Sequence, residues 1–280
     1  MMRLLVVMLA VFWAAAALAQ DAVRVGLFGM VEQVAPLVVA GREVAVADGV
    51  PVISPLGRGQ KLAVGDTVAI TAGVMDGTLT AVRILEVYPV VGPVSSVSEG
   101  RAVIMGSAVH VPPDVTFKKG RWAALSGFWS GTTVITTNIR RVDGAGFAQL
   151  TGAVDPQAFA IGGSTLHGVV PPVDSFGDAP WMISGTAVLD GVQVQLMSKG
   201  LFGNGAEVVL WQGHASAPVA SQTYMIHGTG VMGTARDAQM PAPGVLVARC
   251  AQEGRVLRKA PDGMQAAFDA LDCASHIPAD

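Results

Sequence analysis

Val111-Pro112-Pro113-Asp114-Val115-Thr116-Phe117 recurs 59 residues later as Val170-Pro171-Pro172-Val173-Asp174-Ser175-Phe176. Five residues after each Phe stands a tryptophan, Trp122 and then Trp181. Soon after each tryptophan comes a Ser-Gly pair, Ser126-Gly127 and Ser184-Gly185. A more divergent copy precedes both. It has Val52-Ile53-Ser54-Pro55, then Gly65-Asp66-Thr67-Val68, and closes on Gly73-Val74-Met75-Asp76-Gly77-Thr78-Leu79. Each copy opens on a glycine strand start, at Gly29-Met30-Val31, Gly92-Pro93-Val94 and Gly152-Ala153-Val154. A period near sixty residues is too long for one solenoid coil and suits a small self-contained barrel or sandwich.

The text between these marks is β-like. Val192-Gln193-Val194-Gln195-Leu196 alternates strictly, which predicts Val192, Val194 and Leu196 on one face. Asp66 to Thr71 alternates likewise and predicts Val68 and Ile70 inward. Turn pairs link the stretches, at Asp76-Gly77, Asp143-Gly144, Asp190-Gly191 and Asn204-Gly205. Helical spacing emerges only near the C-terminus, where Met264, Ala267, Phe268 and Leu271 form one apolar stripe over Met264 to Cys273. The expected units cover 24–90, 91–148 and 149–212. A C-terminal segment, 213–280, follows, with strands around Glu207–Trp211, Gln222–His227 and Val245–Arg249 and a short helix.

Composition bounds the function. The chain has 280 residues, 51% hydrophobic and only 14% charged, which excludes a disordered tail and leaves ample core. Residues 1–19 read as a signal peptide: Arg3, an uncharged apolar run from Leu4 to Leu18, and the small-residue exit Ala17-Leu18-Ala19. The run is short for a bilayer span, and no second one follows, so no transmembrane segment is expected in the mature chain. The 18 basic and 21 acidic residues give a net charge of −3, and loss of Arg3 makes it −4. That balance argues against a nucleic-acid partner. The expected location is periplasmic or secreted. An oxidising compartment predicts that Cys250 and Cys273 form one disulfide, fastening the last helix to the Val245–Arg249 strand.

Leu62-Ala63-Val64-Gly65-Asp66-Thr67-Val68-Ala69-Ile70, then Gly73, then Asp76-Gly77-Thr78-Leu79-Thr80-Ala81-Val82-Arg83-Ile84, resembles a repeated bacterial extracytoplasmic domain of unknown function. That family's pattern is a glycine strand start, then L-x-x-G-D-x-V-x-V-x-G, then D-G-x-L-x-A-x-x-I. The second copy keeps Gly120, Gly127 and Gly131 but has Arg121 in place of the Asp. The third has Gly177-Asp178 and Asp190-Gly191. The resemblance implies an OB-like β-barrel and brings no catalytic residue with it. The fold class expected is therefore all-β: tandem small OB-like barrel repeats with a C-terminal strand and helix element tied by a disulfide.

Chemistry-bearing patterns are few. The histidines are His110, His167, His214, His227 and His276, and no two stand at i, i+2 or i, i+4, so no metal site is expected. His110 and His167 hold related places just before the Val-Pro-Pro segments and are candidates to face a ligand. No Gly-x-Ser-x-Gly elbow is present. Gly228-Thr229-Gly230-Val231-Met232-Gly233 matches the dinucleotide fingerprint only in letters and reads as a glycine-rich β-turn, so no cofactor is expected. The matching places of Trp122 and Trp181 predict a shared core role, and Trp129, without an equivalent in the third copy, is the candidate for a ligand-facing ring. The leading expectation is a non-enzymatic binding or scaffold protein for an envelope sugar, peptide or protein. The alternative is a periplasmic hydrolase built on a His/Asp site.

Overall fold

The computed structural model describes residues 23–57, 60–113, 115–142, 147–168, 176, 179–203, 205–219, 222–235 and 240–277. The expected signal peptide and most of the Val170–Phe176 segment lie outside the described residues.

The fold is almost entirely β, and its clearest unit is a closed five-stranded barrel. Its strands are β7 (Val90–Ser98), β8 (Arg101–Ile104), β9 (Ser107–His110), β10 (Trp122–Ser130) and β11 (Thr133–Val142). β7 pairs antiparallel with β8, and β8 with β9. β9 pairs parallel with β11, β11 antiparallel with β10, and β10 returns antiparallel to β7. Closure leaves the barrel with no free sheet edge at its seam. This is the OB-like order, with the third and fifth strands parallel.

The same pairing order runs through the other strands. β1 (Arg24–Val34), β2 (Leu37–Val39), β3 (Arg42–Val44), β5 (Thr67–Met75) and β6 (Thr78–Glu86) follow it, with a parallel bridge from Ala45 to Thr80 completing the ring. A short β4 (Val52–Ile53) adds beside β6. The next set is β12 (Ala148–Gly152), β13 (Ala160–Ile161), β14 (Ser164–His167), β15 (Trp181–Val188) and β16 (Gly191–Lys199), with an Asp155–Ala160 bridge. The last set is β17 (Val208–His214), β18 (Thr223–Ile226), β19 (Val231–Thr234), β20 (Leu246–Gln252) and β21 (Arg255–Val256), with an Ala215–Ile226 bridge. Val208–His214, expected as a strand around Glu207–Trp211, is the first strand of this set.

The rings are joined through their first strands. β1 pairs parallel with β17, from Val25 with Val208 to Phe28 with Trp211, and β7 pairs antiparallel with β12 at Val90–Leu150 and Val91–Gln149.

A β-bulge interrupts the fourth-to-fifth strand ladder at Thr71/Ala72, at Ser126/Gly127 and at Ser184/Gly185. The Ser-Gly pairs mark it because a Cβ at Gly127 would lie 2.1 Å from the Ile135 carbonyl oxygen, and one at Gly185 1.9 Å from that of Gln193. The bulge also corrects one expectation. Val192 is fully buried as expected, but Leu196 is 65% exposed. Gln195 is the extra residue opposite Ser184/Gly185, and one extra residue reverses the alternation beyond it.

Val68 and Ile70 are both fully buried, as their alternation predicts. They belong to the core of the β1–β6 ring, which also receives the C-terminal helix α1 (Gln265–Ala270). Met264, Ala267, Phe268 and Leu271 all pack there. The Cys250–Cys273 disulfide joins the end of this element to β20, and Arg42 on β3 donates to the Ala270 carbonyl at 2.9 Å. The chain's last element therefore plugs its first ring.

Candidate ligand-binding groove

The connection from β9 to β10 packs its described residues Val111, Val115 and Phe117 against the core of the closed barrel. Turns hold this connection: Val115 N–H donates to Pro112, and Arg121 N–H to Lys118. Two further bonds stitch it to β7, from Gly120 N–H to the Val94 carbonyl at 2.8 Å and from Val94 N–H to that of Arg121 at 2.9 Å. Val115 and Phe117 are half-buried against the barrel core, as is Trp122 at the start of β10. Proline supplies rigidity, and the apolar side chains fix the connection to the barrel.

A groove of about 640 Å³ opens between this connection and the β10–β11 hairpin. Phe117, Trp122 and Ile139 give it apolar surface, and Lys118, Arg121 and Arg141 give it positive charge. Among the described residues no acid lines it, and none of the three cations is in an ion pair. Its volume falls in the range of small-ligand sites. Its cations can bind an anion, and its rings offer a face to stack against.

The residues singled out from sequence lie elsewhere. Trp129 does not face solvent: it is 4% exposed and is the expectation most plainly corrected. Its indole N–H donates to the Thr151 carbonyl at 2.8 Å. The ring fills a slot between glycines, where added Cβ atoms would come within 2.1 Å of it at Gly162 and 2.3 Å at Gly228. Its neighbour Phe128 stacks edge-on against Phe28 and His214, so four rings of strands meet at this pair. The remaining void there is about 10 Å³, at most one water. This is a packing seam.

Trp122 and Trp181 both begin a fourth strand but stand one ladder step apart. Trp122 lies four residues before the bulge at Ser126 and opposite Pro93, whereas Trp181 lies three before that at Ser184 and opposite Gly152, the place Ala123 holds opposite Gly92. Their burial differs. Trp181 is 8% exposed, with Phe176 edge-on at 5.5 Å, whereas Trp122 is only half-buried and borders the groove. His110 and His167 both end the strand that pairs parallel with a fifth strand, against Ile135 and Gln193. His110 is exposed. His167 Nε2 lies 2.9 Å from Asp190 Oδ1 on open surface, away from the groove. Among the described residues no group of three His, Cys, Asp or Glu could hold a metal ion. Gly228 to Gly230 form the expected turn, leading into β19.

A buried ionic cluster escaped the sequence reading. Arg140 on β11 donates to Asp66 and, at 3.0 Å, to Glu86; both carboxylates are 1% exposed. Asn138 donates to Asp66 at 2.8 Å, and Thr67 exchanges hydrogen bonds with the Gly127 backbone. Tyr88 donates to Glu86, and burial followed by the Glu86 charge pushes its hydroxyl pKa well up. Gly65-Asp66-Thr67, the centre of the family-like pattern, thus clamps the β1–β6 ring to the bulge of the closed barrel.

The groove residues did leave a trace in the sequence. Phe117-Lys118-Lys119-Gly120-Arg121-Trp122 packs three cations between two rings in a chain that is 14% charged. No protein family, curated protein or solved structure matches the chain.

Proposed function

We propose that this is an exported, non-enzymatic binding or scaffold protein of the bacterial envelope, periplasmic or secreted, built from repeated OB-like barrels. The observation that carries the reading is the groove on the closed barrel, where cations and half-buried rings share one preorganised cleft. Barrels of this kind serve as binding platforms, but the fold does not name the ligand, which is a sugar, a peptide or another protein. The leader-like start of the chain supports export. The recurrent pairing order and bulge support duplication of one unit. Among the described residues no helix is long and apolar enough to cross a membrane.

A thermal-shift screen against sugars, peptides and metal ions tests the binding role, because a ligand of the folded state raises its melting temperature by mass action. The expected result is a ligand that stabilises the protein but not its Trp122→Ala variant. A screen in which every hit is indifferent to groove substitutions removes the reading. The His167–Asp190 pair gives the hydrolase alternative its one structural foothold. Esterase or glycosidase turnover abolished by His167→Ala would favour it instead.

A further inference from the structure

We infer that the ligand of this groove is a carboxylated polysaccharide, an inference that rests on the binding role proposed above. Three features of the groove select that chemistry together. The first is charge. Lys118, Arg121 and Arg141 stand around a cleft with no acidic lining residue among those described, in a chain whose net charge is −3. Among the described residues the charge at the groove is all positive, opposite to the molecule's net sign, so its complement is an anion. Two of the cations are arginines, whose planar fork meets a carboxylate with two parallel hydrogen bonds.

The second is the pair of rings. Phe117 and Trp122 are half-buried against the barrel and border the same cleft. An aromatic face with nearby donors suits a flat, partly apolar ring that carries polar groups at its rim, which is the form of a pyranose.

The third is the backbone. Along Trp122–Leu125, β10 is paired on both edges, with β7 on one side and β11 on the other. A peptide therefore cannot add along β10. The one edge open to it is that of β11 beyond Ile135, where β10 is the sole strand partner among the described residues, and the hexaglutamate comparison tests that outcome. A chain of rigid sugar rings loses far less freedom, and the connection is itself tied down at Val94. Single-stranded nucleic acid also combines anions with stacking rings, but an exported protein of net negative charge is poorly placed to meet it.

Titration calorimetry at low salt with hexagalacturonate is the test, with maltohexaose, a hexaglutamate peptide and oligo-dT as comparison ligands. The variant is Arg121→Gln combined with Arg141→Gln. Both side chains are exposed, so the fold is expected to persist, and an unchanged melting temperature verifies it. Hexagalacturonate should bind with an affinity that falls with salt and drops about tenfold or more in the variant, while maltohexaose does not bind. Absence of hexagalacturonate binding, or binding that the double substitution leaves unchanged, overturns the inference. Binding of maltohexaose, hexaglutamate or oligo-dT in its place, lost in the variant or in Trp122→Ala, also overturns the ligand class but leaves the groove as a binding site. If no ligand responds to any groove substitution, the binding role falls with it.

Discussion

Trp129, on the fourth strand of the closed barrel, donates its indole N–H to the carbonyl of Thr151, on the first strand of the next ring, at 2.8 Å. The bond is buried and joins two units through a side chain with no equivalent in the following copy. Trp129→Ala should therefore cost about 3–5 kcal/mol, as removal of a buried aromatic does. Gly162→Ala should also destabilise, because its Cβ would overlap the ring from the other side. Urea midpoints for the two variants check both outcomes, and a near-native midpoint for Trp129→Ala would contradict the keystone role.

Arg140 neutralises two carboxylates that are almost wholly buried. Arg140→Leu would leave Asp66 and Glu86 without their cation, and loss of one partner from such a cluster costs about 3–5 kcal/mol. Arg140→Lys should recover only part of this, since a single ammonium cannot reproduce the fork that reaches Asp66, Glu86, Gln60 and the Lys61 carbonyl. Chemical denaturation of the two variants should rank them wild type, Lys, Leu.

The disulfide closes a span of 23 residues and holds α1 against the first ring. Cys250→Ser with Cys273→Ser should lower stability by about 3 kcal/mol on the chain-entropy account. Reductant should shift the melting curve of the wild type and leave that of the double variant in place. Thiol labelling of unreduced, unfolded wild type should be negative.

Two half-buried histidines make stability depend on pH. Partial burial, then repulsion from the neighbouring His214, holds His227 below its ordinary pKa. Burial also holds His276 below, with Arg249 and Arg42 adding to the effect and Asp272 opposing it. The folded chain then binds fewer protons than the unfolded chain below about pH 6.5, so stability is fully present above that value and falls as pH drops through the lowered pKa values. The melting temperature should be flat above about pH 7 and decline toward pH 5, and the decline should be shallower in His227→Gln/His276→Gln.

The sequence by itself determined the local structure. Alternation of apolar residues sets a strand, Asp-Gly pairs set its turn, and the stripe from Met264 to Leu271 sets a helix, because each is a choice made within a few residues. The two cysteines sufficed for the disulfide, as no other partner exists for either. What only the tertiary structure decided is how barrels dock. Leu196 faces solvent because a bulge at Gln195 reverses the alternation beyond it. Trp129 is enclosed and Trp122 left at a groove because the neighbouring rings cover one position and spare the other. Asp66 and Arg140, 74 residues apart, meet only when two barrels pack. Burial on a barrel's outer surface depends on what lies across the seam, and no pattern within a single strand encodes that neighbour.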